Sequence, residues 1–85
     1  MKLLVYLAGN LLINGEQFYI HNVNQIEFDF DIKIGQSLDI LQYSDSGVFI
    51  SRRIYNITQE ILKGNLFVPD LHHVILNWNF ISLSN

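Results

Sequence analysis

From Gln25 to Ile32 apolar and polar side chains alternate without a break, with Ile26, Phe28, Phe30 and Ile32 on one set of positions and Glu27, Asp29 and Asp31 on the other. Successive side chains of a strand point to opposite faces, so this spacing predicts a half-buried β-strand, its apolar set turned inward and three carboxylates turned to water. Shorter stretches read the same way. Residues 3–8 form an apolar run, which predicts a strand covered on both faces, and Gly9-Asn10 marks a bend after it. Leu11 to Ile13 is a short strand. Asn14-Gly15 then carries the signature of a type I′ hairpin turn, with Gln17 to His21 as the returning strand and Asn22-Val23-Asn24 as the next turn.

Beyond the alternating segment, Lys33 to Gln36 reads as a turn around Gly35, and Leu38 to Tyr43 as a strand. Ser44-Asp45-Ser46-Gly47 has strong turn chemistry, and Val48 to Tyr55 is a strand that carries Arg52-Arg53. Residues 57–63 are the one stretch with helical signals: Asn56 as the cap, Gln59 three residues on and Gly64 as the stop. Leu66 to Val68 is a short strand ended by Pro69-Asp70. Val74 to Leu83 closes the pattern, with Val74, Leu76, Trp78 and Phe80 on one face. Short strands separated by regular turns predict a single all-β, mostly antiparallel domain over residues 1–85. Its expected form is a small barrel or two-sheet sandwich with at most one short helix near 57–63.

Composition sharpens this. The 85 residues contain no cysteine, so neither a disulfide nor a thiolate metal site is available to a domain that buries only about 60–65% of its unfolded surface. Aromatic packing and self-association are the remaining sources of stability. Hydrophobic residues make up 49% of the chain and charged residues only 15%, against about 25% in typical soluble domains, which leaves apolar surface for a partner. The net charge of −3 repels phosphate backbones and argues against nucleic-acid binding. Lys2 followed by the apolar stretch to Ile13 has the outline of a signal peptide, but Gly9-Asn10 interrupts it and no small-x-small cleavage site follows. No stretch reaches the roughly 20 apolar residues of a membrane span, and a cytoplasmic location is expected. Twelve isoleucines and nine asparagines against one alanine favour strands and turns, and fit an A+T-rich coding genome such as that of a phage or mobile element.

Candidate chemistry is sparse. Glu27, Asp29 and Asp31 lie about 6.6–6.8 Å apart along a strand, too far to close on one ion but suited to an acidic ridge that docks a basic surface. Tyr19, Tyr43 and Tyr55 are candidate partner-binding residues, since tyrosine concentrates at interface hot spots. Arg52 and Arg53 are the one cluster of positive charge. Adjacent strand residues diverge, so they form a phosphate or carboxylate clamp only at a bulge or strand end. His72-His73 with Asp70 and His21 match no zinc spacing, and no metal or cofactor is expected. No nucleophile elbow, phosphate loop or paired-acid pattern occurs, which points away from catalysis. The expected function is therefore a noncatalytic protein–protein interaction module that also self-associates, of the phage or mobile-element accessory or inhibitor kind. The alternative is a small-ligand or nucleotide-binding β-barrel using Arg52 and Arg53.

Overall fold

Only two consecutive residues of the described chain that include a non-glycine hold positive φ, Ala8 at 49° and Gly9 at 85°. That is the requirement of a two-residue type I′ turn, and it folds β1 (Lys2–Leu7) back on the two-residue β2 (Asn10–Leu11) with Leu7 opposite Asn10. The computed structural model describes residues 2–22 and 25–69. Within them the remaining strands are β3 (Phe18–Asn22), β4 (Gln25–Phe28), β5 (Ser37–Tyr43), β6 (Phe49–Asn56) and β7 (Leu66–Phe67). All strand pairings are antiparallel and make two sheets rather than a closed barrel. One is four-stranded in the order β2-β1-β5-β6, the other three-stranded in the order β3-β4-β7.

The alternating segment behaves as its pattern requires. Ile26, Phe28 and Ile32 are wholly buried and Phe30 packs against them, while Asp29 and Asp31 are exposed and Glu27 is half-buried. Regular pairing ends at Phe28, but the alternation carries on to Ile32, which is fixed by a reciprocal pair of backbone bonds with Ile61. The four-stranded sheet contributes Leu3, Val5, Leu7, Leu38 and Ile40 to the same core, and the three-stranded sheet adds Phe18, Ile26 and Phe28. Phe28 stands edge-on to Phe30 at 6.1 Å and tilted against Phe67 at 6.2 Å between ring centroids. Gln42 is the one buried polar side chain among the described residues. It lies between Leu3 and Ser51 in register and accepts a hydrogen bond from the Ser51 hydroxyl at 3.3 Å.

Three local expectations change. Asn14-Gly15 is a turn but not of type I′, because Asn14 keeps negative φ. The Gly15 N–H donates to the Phe18 carbonyl, the Gln17 N–H donates to the Ile13 carbonyl, and the segments on either side join different sheets. Residues 57–63 form no helix. The Ile57 N–H donates to the Gln36 carbonyl and the Ile61 N–H to the Ile32 carbonyl, and these long-range bonds displace a two-turn helix that has little stability alone. β1 is not covered on both sides, since Leu4 and Tyr6 are only half-buried on its second face. The expected strand from Val74 to Leu83 lies outside the described residues.

Candidate functional site

Pairing register alone assembles a surface on the four-stranded sheet. Leu11 lies opposite Tyr6, Tyr6 opposite Asp39, and Asp39 opposite Ile54, so one row crosses all four strands on the face turned away from the core. The next row on that face is Leu4, Leu41 and Arg52, and the third is Lys2, Tyr43 and Phe49. Solvated faces of antiparallel sheets are normally polar. Here Leu11, Ile54 and Phe49 are each more than half exposed, and Leu4, Tyr6, Leu41 and Tyr43 are half-buried. Tyr43 and Phe49 meet edge-to-face with centroids 5.7 Å apart, which stiffens the end of the patch.

Two charges interrupt the middle of the face and pair with each other, while the exposed Lys2 stands in its third row. The Arg52 guanidinium donates from Nε to both Asp39 oxygens at 3.0 and 3.1 Å and from Nη2 to Oδ2 at 2.7 Å. Hydrogen bonding to Asp39, aided by its charge, raises the Arg52 pKa above its usual value. Such forked geometry fixes the two side chains relative to each other. A shallow groove of about 500 Å³ runs beside the pair, lined by Tyr6, Ser37, Leu41 and Ile54.

The acidic residues are placed as the alternation predicts but are not a free ridge. The Glu27 carboxylate lies 2.8 Å from His21 Nε2 on the neighbouring strand. Asp29 pairs with Lys63 at 3.5 Å. Asp31 accepts the Lys63 backbone N–H at 2.8 Å and faces Lys33 Nζ at 3.6 Å, and Lys33 reaches on to Glu60. The Lys63 backbone hydrogen bond, with the lysine charges behind it, holds the Asp31 carboxyl below its usual 3.8. Lys33 and Lys63 thus set two cations among the four carboxylates of Glu27, Asp29, Asp31 and Glu60, which ties the 29–33 segment to the 60–63 segment.

Arg52 and Arg53 do not converge. Leu41 lies opposite Arg52 and the buried Ile40 opposite Arg53, so the two project from opposite faces and no clamp forms. The tyrosines separate as well. Tyr43 joins the outer face. Tyr19 lies on the outer side of the three-stranded sheet, its hydroxyl donating to the Glu16 carbonyl at 3.3 Å. Tyr55 turns inward and packs edge-on against Phe67 at 5.5 Å, so it belongs to the core border rather than to a contact surface. Asp70, His72 and His73 lie outside the described residues, among which no three histidine or carboxylate groups gather around a metal-sized site. No helix of the described residues is long and apolar enough to cross a membrane.

The residues missed from the sequence are Leu4, Leu41, Ile54 and Asp39. The alternation of Asp39 and Leu41 with the buried Leu38 and Ile40 was visible, but only strand order brings them beside Tyr6 and Ile54. Fold and surface together define a small all-β protein with a largely apolar outer sheet face. No protein-family model matches the chain, and no curated protein or solved structure matches it significantly.

Proposed function

We propose that this chain is a noncatalytic protein-interaction module that binds through the outer face of its four-stranded sheet. The observation that carries the reading is that face itself: three rows of mostly aromatic and aliphatic side chains, with Asp39 and Arg52 bound to each other near the middle and Lys2 at one end. An apolar patch with an aromatic pair and an exposed arginine held in a forked ion pair has the composition of an interface. This relocates the contact surface from the acidic segment to β1, β5 and β6. The cysteine-free, isoleucine- and asparagine-rich composition fits a cytoplasmic accessory or inhibitor protein of a phage or mobile element.

The test uses Leu41→Lys combined with Ile54→Lys. Neither side chain is part of the buried core, so each change is expected to alter folding stability by no more than about 0.5 kcal/mol. A binding protein captured from host lysate, identified and then titrated against purified chain, should bind the double variant at least tenfold more weakly, the equivalent of about 1.4 kcal/mol. An Asp29→Asn, Asp31→Asn variant should bind like the parent. Equal binding by the lysine variant, or loss only in the asparagine variant, contradicts the reading.

A further inference from the structure

We propose that Asn14 is a site of self-modification: its side-chain amide converts to aspartate and isoaspartate, at a rate set by opening of the Gly15–Phe18 hydrogen bond. The site lies in the loop before β3, apart from the sheet face that carries the interaction reading, and does not depend on that reading. Asn14-Gly15 is the one Asn-Gly step in the sequence. The reaction is an attack of the following residue's backbone nitrogen on the asparagine side-chain carbonyl carbon, and a side chain on that following residue obstructs it. Asn10, Asn22, Asn56 and Asn65 are followed by leucine, valine, isoleucine and leucine. Gly15 instead has no β-carbon, and open space where one would stand. Asn14 and Gly15 are both exposed, and the Asn14 amide holds no hydrogen bond among the described residues, so it is free to turn toward the Gly15 nitrogen.

The chemistry needs only water. Base removes the Gly15 amide proton, the nitrogen bonds to Asn14 Cγ, and the Cγ–Nδ2 bond breaks as ammonia leaves with a proton taken from water. The product is a succinimide ring. Water then adds to one of its two carbonyl carbons: opening at Cγ gives aspartate, and opening at the Asn14 backbone carbonyl carbon gives isoaspartate, whose main chain runs through the former side chain. The fold withholds the proton that starts this sequence. The Gly15 N–H donates to the Phe18 carbonyl at 2.8 Å, and Phe18 is held by the core, buried and opposite Phe28. Two further bonds clasp the loop, from the Gln17 N–H to the Ile13 carbonyl and from the Ile13 N–H to Gln17 Oε1, both at 2.8 Å. The nucleophile is therefore released by local opening of this loop, and the folded chain modifies slowly. Each conversion is one-way. It adds a negative charge to a chain already at −3, and isoaspartate leaves β3 to be entered from a lengthened loop.

Mass spectrometry of the full chain incubated at mildly alkaline pH tests this, with the modified residue located by peptide fragmentation. The parent should modify at Asn14 before any other asparagine, giving aspartate and isoaspartate together, and faster in proportion to hydroxide as pH rises. In urea, where the loop no longer holds, the rate should be at least about tenfold higher, the equivalent of about 1.4 kcal/mol of protection. Gln17→Leu removes the Oε1 acceptor without touching either reacting residue. It should speed modification of the folded chain about threefold, the effect of losing one exposed hydrogen bond, and speed hydrogen exchange of the Gly15 amide by the same factor. Asn14→Gln, whose side chain would have to close a larger ring, should gain no mass over the same period. Circular dichroism confirms that the variants are folded. If Gln17→Leu does not fold, Gly15 exchange in the parent across a urea series takes its place, and modification should rise in step with it. First modification at another asparagine, or an intact Asn14 in the urea-unfolded chain, overturns the inference. Equal rates in the folded and unfolded chain, or a folded rate that does not follow Gly15 exchange, overturn it as well.

Discussion

Phe28→Ala is expected to remove about 3–5 kcal/mol of folding stability, the usual cost of truncating a wholly buried phenylalanine. Phe28 has no exposed surface and lies between Phe30 and Phe67, so its loss opens a cavity where the alternating segment meets β7. A chain of 85 residues is typically stabilised by roughly 4–13 kcal/mol in total, so this one change consumes a large share of it. In a thermal melt followed by circular dichroism the midpoint should fall by about 15–30 °C. Asp29→Asn, one residue away and exposed, should shift it by only a few degrees, since its ion pair with Lys63 is a surface pair. A fall of less than about 5 °C for Phe28→Ala contradicts the placement of this ring at the centre of the core.

The second large effect lies in the Ala8-Gly9 turn, and it has two signs. Gly9 sits at φ 85° with nothing within 4 Å of where a β-carbon would stand. Any penalty for a side chain there is therefore a backbone penalty rather than a clash. Gly9→Val should cost about 1–2 kcal/mol or more, because a β-branched residue is especially unsuited to the left-handed region. Ala8 already bears a smaller strain of this kind at φ 49°. Ala8→Asn converts the turn to Asn-Gly, the preferred type I′ pair, and should raise stability by about 0.5–1 kcal/mol. Chemical denaturation of the two variants reads both shifts. Stabilisation by Gly9→Val, or loss with Ala8→Asn, contradicts the turn and with it the β1–β2 register that sets Leu11 beside Tyr6.

These two sites show what local pattern can and cannot reveal. The inward and outward sides of residues 25–32 follow from the two-residue period alone, and the strands at 37–43 and 49–56 follow from composition between turn residues. The latter two are found within a residue of expectation, while the strand expected over 25–32 pairs regularly only to Phe28. The helix expected at 57–63 fails because its cap and stop are local signals, while the bonds to Gln36 and Ile32 come from chain far away in sequence. The type I′ turn falls at Ala8-Gly9 rather than Asn14-Gly15, since alanine gives no hint of positive φ and the sheet imposes it. The candidate site was the least legible feature. Each strand of the four-stranded sheet carries only one or two exposed apolar residues, which is unremarkable in isolation. Their meaning arises when β1 pairs with β5 and β5 with β6, and no residue near Leu41 in sequence announces Ile54 or Tyr6. The acidic row is the reverse case: its position was plain, but the lysines that pair with Asp31 and Asp29 come from residues 33 and 63.

The central claim is that the register of the two sheets divides the isoleucines into an enclosed set and an exposed set, with Ile54 on an open face. Methyl NMR on isoleucine-labelled chain at low concentration, with a soluble paramagnetic agent, measures this division directly. Ile13, Ile34 and Ile54 should broaden strongly while Ile26, Ile32 and Ile40, which have no accessible surface, should not. A protected Ile54 methyl in the dilute monomer, or a broadened Ile40, would contradict the register on which the proposed surface depends.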